Sequence, residues 1–554
     1  MGIHDSLDSN QTALLDGQNF KYFISSALAW LKTNQEHINS LNVYPIPDGD
    51  TGTNMVLTMQ SALNEINGSE ERNIGKMAHT LAQGALMGAR GNSGVILSQL
   101  WRGFARSLDN YETADAAKIV AALEEARNTA YKGVVRPVEG TILTVATDIA
   151  KRAREVLQYS NDSRVLLDEI VKAADESVIR TPELLDKLKE AGVVDSGGKG
   201  LFILLEGIQR QLNNLSLETP LATVTPLSAM NLDNIMESVE EGQDYEVVID
   251  FSPKDALDLD SFYAELGKIG TSIQVGEGDG FYRMHIHVPT EKRFEPIDYT
   301  MKLGTVHKVA IENLIAQMEE QGKQAAKPLN LAKIEPGQIA VIAISPGPGL
   351  SKIFASLGVA AIVEGGQTMN PSTEEILKAF EDLPTQKIII LPNNKNIILA
   401  SQQAAANSVK NVAVIPSKNI PQGLSALLHL IPDGDFDEIV ADMNEALTSI
   451  ETGEITTATR DVTNEGVEIR KDEIIALHNG KIICSSPSLE ESVFKFLEAA
   501  QTKDHEQITL FYGADITVQM VEKLVAKIQE RYPDQGIEYH DGGQQHYFYI
   551  MSVE

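Results

Sequence analysis

The chain has 554 residues, 43% of them hydrophobic, with 46 basic against 78 acidic side chains and a net charge of −32. That length exceeds a single hydrophobic core and implies three or four folded units. The acidity argues against a nucleic-acid ligand, because binding there is driven by basic patches, but it does not exclude small anions held by local donors.

No apolar run reaches the roughly 18 residues of a membrane span, and the opening Met1-Gly2-Ile3-His4-Asp5 lacks a secretory pattern. A cytoplasmic protein without a transmembrane segment is therefore expected. Cys484 is the sole cysteine, so no internal disulfide can form. Its apolar neighbours Ile482 and Ile483 predict a buried thiol.

From about residue 16 to 213 the apolar spacing is helical. Phe20, Phe23, Ala27 and Leu31 form one stripe, Val56, Met59, Leu63 and Ile66 another, and Ile142, Val145 and Ile149 a third. Residues 1–213 are thus expected to form an all-α bundle of eight or nine helices joined by short glycine-bearing loops. Residues 214–330 are expected to hold a linker and a small α+β domain, a plausible homodimer surface. The strand there would be Tyr245 to Phe251, followed by a helix from Leu259 to Ile269, a hairpin over Ser272–Val275 and Arg283–Val288, and a helix near 294–303. Residues 335–554 read as an α/β domain, with apolar strands at 339–344, 387–391 and 412–415, each followed by turn residues and a helical pattern.

The densest polar constellation is Asn42-Val43-Tyr44-Pro45-Ile46-Pro47-Asp48-Gly49-Asp50-Thr51-Gly52-Thr53-Asn54. Two carboxylates separated by one glycine can face the same hard cation, and Mg²⁺ takes oxygen ligands with phosphates completing its shell. A helix opening at Thr53-Asn54 would turn free N–H groups toward phosphate. An Asp-capped turn is the plain alternative. The chain supplies a control, since Ile431-Pro432-Asp433-Gly434-Asp435 repeats the core of the motif without the Thr-Gly-Thr-Asn that follows Asp50; there a structural turn is expected. Three further clusters precede helical stripes: Gly88-Ala89-Arg90-Gly91-Asn92-Ser93-Gly94, Arg136-Pro137-Val138-Glu139-Gly140-Thr141 and Val194-Asp195-Ser196-Gly197-Gly198-Lys199-Gly200. Four such loops at one end of a bundle could build a nucleotide site.

These four strings resemble the DhaL-type (Dak2) ATP-binding domain, and their order and setting are similar to the catalytic component of bacterial fatty acid kinase. The likeness extends to Gly304-Thr305-Val306-His307-Lys308-Val309-Ala310-Ile311-Glu312-Asn313, to Glu364 through Ser372, and to Leu391-Pro392-Asn393-Asn394-Lys395-Asn396-Ile397. The resemblance implies ATP and Mg²⁺ as cofactors, a DegV-like C-terminal domain that docks a separate DegV-type fatty-acid carrier, and transfer of the γ-phosphoryl group to the fatty acid carboxylate. It implies that Asp48 and Asp50 hold Mg²⁺, with Asn42 as an additional ligand, and that Thr51 and Arg136 belong to the catalytic set. Asn54, Gly91, Asn92, Ser93, Gly94, Glu139, Thr141 and Asp195 would contact the nucleotide. A carboxylate acceptor is already ionised at neutral pH, so no general base is needed.

His285 and His287 alternate on a predicted strand and share a face. Two imidazoles at that spacing can share a metal. In related proteins a cysteine is expected to join them; this chain has Glu246 near that place, giving a candidate Zn²⁺ set of His285, His287 and Glu246. Two other functions compete. The L component of a dihydroxyacetone kinase would show His at the position of Thr51 and lack the two further domains, and a regulatory scaffold with a structural nucleotide site would not need the Asp48/Asp50 pair.

Overall fold

The computed structural model describes residues 14–43, 49–134, 136–217, 225–226, 244–255, 257–278, 281–313, 329–366, 369–458, 462–464 and 467–554. Asp48, most of the expected linker, and the polar stretch from Glu319 to Lys327 lie outside those residues. The chain divides into two compact units, one of residues up to 325 apart from 90–92, the other of 90–92 together with 326–554.

The first unit begins with ten helices among the described residues: α1 (Gly17–Thr33), α2 (Gln35–Leu41), α3 (Thr51–Asn67), α4 (Ile74–Met87), α5 (Gly91–Leu108), α6 (Ala116–Gly133), α7 (Ile142–Val156), α8 (Ser163–Leu184), α9 (Asp186–Ala191) and α10 (Ser196–Leu212). Their apolar stripes make one core. Met55, Met59, Ala62 and Ile66 of α3 are buried in it with Val145, Ile149 and Val156 of α7 and with Trp30 and Leu31 of α1. The spacing dictates this, because residues three and four apart lie on one helical face. α3 starts at Thr51, two residues before the expected opening.

The same unit continues into a five-stranded sheet, order β1-β3-β4-β2-β5, built from β1 (Thr225–Pro226), β2 (Tyr245–Pro253), β3 (Thr271–Gly278), β4 (Phe281–Val288) and β5 (Gly304–Asn313). Helices α11 (Leu259–Leu266) and α12 (Glu295–Leu303) complete the α+β arrangement. The string from Gly304 to Asn313 is strand β5, antiparallel to β2.

The second unit opens with a parallel sheet, order β7-β6-β8-β9, of β6 (Ile339–Ser345), β7 (Ala361–Glu364), β8 (Lys387–Leu391) and β9 (Asn411–Val414). Every residue of β6 is buried, as expected for a strand covered on both faces. Beyond residue 450 the pattern departs from simple βα alternation. After the short pair β11 (Val462–Asn464) and β12 (Val467–Ile469), a six-stranded mixed sheet is completed, order β14-β13-β10-β17-β15-β16. It comprises β10 (Glu451–Thr457), β13 (Ile474–His478), β14 (Lys481–Ser486), β15 (Gln507–Tyr512), β16 (Gly536–Asp541) and β17 (Tyr547–Val553). Cys484 lies buried on β14, and burial raises its thiol pKa, as fits a structural residue. No helix among the described residues is long and apolar enough to cross a membrane.

Candidate active site

Asp50 occupies the N-cap of α3, where an Asp ordinarily accepts from the first N–H groups of its own helix. Its side chain makes no such cap bond. Asn39 of α2 takes that place. Its Oδ1 accepts from the backbone N–H of Gly52 at 2.7 Å and of Thr53 at 3.2 Å. Its Nδ2 donates to Thr53 Oγ1 at 3.1 Å, and Gln35 Nε2 donates to the same hydroxyl at 3.1 Å. Of the N–H groups expected to face phosphate, that of Thr53 is therefore taken up from within the chain. Asn42 Nδ2 donates to Asp50 Oδ1 at 3.3 Å, and both residues are buried. Gly49 turns the approach with φ +62°, a left-handed conformation that favours glycine. The donor chemistry suits a hard cation, since Asp50 and Asn42 bring a carboxylate and an amide oxygen into one loop.

α10 meets α3 at this point. Ser196 Oγ donates to Thr51 Oγ1 at 3.1 Å, across 145 residues of sequence, and both side chains are buried. Asp195 caps α10, accepting from Gly198 N–H at 2.6 Å. It also accepts from the backbone of Ile142 at the start of α7, and burial pushes its pKa up to about 6. The N-termini of α3, α7 and α10 are thereby tied together.

The remaining predicted residues divide. Gly91 opens α5 with φ +56°, and Asn92 and Ser93 follow in its first turn. Gly94 lets α5 approach α3, since a Cβ there would stand 2.4 Å from Thr58 Oγ1. Asn54 is buried one turn into α3, and its backbone carbonyl accepts from Thr58 Oγ1 at 2.7 Å. Glu139 is engaged by the two flanking helices, accepting from Thr144 Oγ1 of α7 at 2.5 Å and from Tyr131 OH of α6 at 2.9 Å. The Thr141 hydroxyl caps α7 and donates to Val138 O at 2.7 Å. Arg136 is exposed. Asn39 and Gln35 were not legible from the sequence, and the Ser196 hydroxyl only as part of its glycine-rich string, because each contact is made only in three dimensions.

His285 and His287 do share a face of β4, buried, with ring centroids 4.9 Å apart. Glu246 of β2 is in register with His287, and its Oε1 lies 3.1 Å from His285 Nε2. His285 Nδ1 lies 3.0 Å from Ser272 O. Burial and the neighbouring His285 lower the His287 pKa to about 4, against the pull of Glu246. Among the described residues, however, no three His, Cys, Asp or Glu side chains form a set able to hold a metal ion. The carboxylate instead meets His285 directly.

Residues 45–210 match the family model of the DAK2 domain, residues 242–321 that of the FakA-like middle domain of fatty acid kinase, and residues 340–554 that of the FakA-like C-terminal domain. An uncharacterized protein of Staphylococcus aureus (strain USA300) is 39% identical over 550 residues, covering 98% of this chain and 99% of its own length. One of Staphylococcus epidermidis is 38% identical over 553 residues, with the same coverage of both chains. Among solved structures, the dihydroxyacetone kinase of C. freundii in complex with AMP-PNP and Mg²⁺ aligns with a TM-score of 0.28 and 17% identity, over 38% of this chain and 37% of its own. A DegV family protein of Corynebacterium glutamicum aligns with a TM-score of 0.31 and 14% identity, over 39% of this chain and 97% of its own. With three kinase-family models matched in order and near-complete alignment to its relatives, the chain belongs to the FakA-like family of fatty acid kinase proteins.

Proposed function

We propose that this protein transfers the γ-phosphoryl group of ATP to the carboxylate of a fatty acid presented by a DegV-type carrier protein, forming an acyl phosphate and ADP. The observation that carries the reading is an Asp50 carboxylate not used to cap its own helix, beside Asn42, where α3 and α10 meet. Mg²⁺ held there with the nucleotide would supply charge neutralisation, which phosphoryl transfer chiefly requires. Asp50 and Asn42, with Asp48, would hold that ion. Thr51 is fixed by Ser196 and shapes the loop. Asn54 and the first turn of α5, from Gly91 to Gly94, would line the phosphates, and Arg136 would meet charge developing on the transferring group. Glu139, Thr141 and Asp195 would hold the loops ahead of α7 and α10 in place.

In the reaction, a carboxylate oxygen forms a bond to the γ-phosphorus as the bond to the β–γ bridging oxygen breaks, and ADP leaves with that electron pair. No proton needs to be removed from the acceptor. Proximity would come from docking the loaded carrier on the C-terminal domain, so that only the carboxylate is presented to ATP. The test is the full chain with Mg²⁺, ATP and a fatty-acid-loaded DegV-type protein, assayed for acyl phosphate. Product dependent on all three is expected. Turnover with dihydroxyacetone and none with the loaded carrier would overturn the acceptor assignment, and no turnover with either would overturn the phosphotransferase reading.

A further inference from the structure

Six helices of the helical domain cap their own N-termini with a side chain, whereas α3, like α2 behind Asn34, does not. α1, α4, α6, α7, α8 and α10 are each capped by the side chain of their own N-cap residue: Asp16, Asn73, Asp115, Thr141, Asp162 and Asp195. α3 has an aspartate, Asp50, at its N-cap, but its ψ of −1° departs from the extended backbone of the six self-capping residues, and the N–H groups of α3 are capped from outside by Asn39. The contact is built in. A Cβ at Gly52 would stand 2.3 Å from Gln35 O and 2.9 Å from Asn39 Oδ1, so α2 can come this close only because residue 52 is glycine. Asn39 is itself fixed by its donation to Thr53 Oγ1 and, at 3.4 Å, to Glu36 Oε1.

We infer that Asn39 is a positioning residue for the phosphoryl-transfer site: by capping α3 in Asp50's stead, it keeps the Asp50 carboxylate turned to cation binding. The inference rests on the function proposed above. An amide serves here better than a second carboxylate, because it caps two N–H groups without adding negative charge beside Asp50, and its Nδ2 anchors it to Thr53. Without Asn39, Gly52 and Thr53 would have unpaired N–H groups, and Asp50 could accept them only by swinging its backbone from ψ −1° to the extended region of an ordinary N-cap. Drawn into that role, Asp50 would be turned away from the metal.

The experiment uses the full-length protein and two substitutions. ATP binding is followed by calorimetry at a series of Mg²⁺ concentrations, and melting temperature is measured without Mg²⁺. In Asn39→Ala, half-saturation by Mg²⁺ should rise by about 10- to 100-fold, the range for losing a group that orients a metal ligand. The number of ATP sites at high Mg²⁺ should stay the same. Asn39→Asp retains an acceptor oxygen for both N–H groups and should restore half-saturation to within a few-fold of wild type. A purely structural role predicts a lower melting temperature in Asn39→Ala with unchanged Mg²⁺ half-saturation, and that result overturns the inference. Equal Mg²⁺ defects in the two variants overturn it as well, since capping would then not be the relevant property. Wild-type protein whose ATP binding ignores Mg²⁺ would instead sink the kinase reading itself.

Discussion

Two copies of Ile-Pro-Asp-Gly-Asp, at 46–50 and 431–435, end in an aspartate at the N-cap of a helix, yet the two aspartates behave differently. Asp435 accepts from the N–H groups of Asp437 at 3.1 Å and Glu438 at 3.2 Å, capping its own helix Phe436–Ala446. Asp50 leaves that work to Asn39. The same local motif therefore caps its own helix in one place and not in the other. Their backbones differ, extended at Asp435 and helical at Asp50, and at Asp50 tertiary packing supplies the cap from α2.

The largest effect expected from breaking this contrast is on turnover. Asp50→Ala should lower ATP-dependent phosphoryl transfer at least about 100-fold, because preorganised charge at such a site is worth several kcal/mol. Its unfolding midpoint in urea should barely move, since the Asp50 side chain does not cap its helix. Turnover close to wild type would remove Asp50 from the site.

The glycine that admits Asn39 comes next. Gly52→Ala should cost about 1–3 kcal/mol in urea unfolding through overpacking against Gln35 O. It should also reproduce the Mg²⁺ defect of Asn39→Ala, because the cap is pushed off. Gly434→Ala, whose Cβ would meet Ile431 O at 3.1 Å, should cost less and leave turnover alone. A Gly52→Ala protein with wild-type Mg²⁺ dependence would show that the cap tolerates displacement.

The mirror of Asp50→Ala is Asp435→Ala. Loss of a working N-cap should destabilise the protein by about 1 kcal/mol, with turnover unchanged. Opposite outcomes at the two positions, activity lost at one and stability at the other, are what the comparison requires.

The smallest effect concerns Asp195, whose folded-state pKa of about 6 stands above its ordinary 3.8. A carboxyl group shifted upward binds its proton more tightly in the folded state. Its contribution is therefore full below pH 4 and is lost as pH rises through 6. Asp195→Asn cannot titrate and should remove that part of the decline between pH 4 and 6, seen as a change in slope of melting temperature against pH. Parallel wild-type and variant profiles would place the titration elsewhere.

Much of the architecture could be read directly. The stripe of Met55, Met59 and Ile66 has a helical period and only one apolar face to bury, so α3 had to pack inward on that side. The unbroken apolar run of β6 suited a strand covered on both faces. Asp435 as a cap also followed from local sequence, because an N-cap bond spans only two or three residues. The mixed sheet after residue 450 did not, since β10 takes β13 and β17 as neighbours from distant parts of the chain. Nor did the pairing of Thr51 with Ser196, or the role of Asn39. An Asn thirteen residues before Gly52 carries no local sign of capping it. That bond exists because α2 and α3 cross closely enough at a glycine for one amide to reach two N–H groups of the next helix. Local sequence thus determined which residues carry oxygen ligands suited to a cation, and helix packing decided which aspartate caps its own helix and which is relieved of that bond.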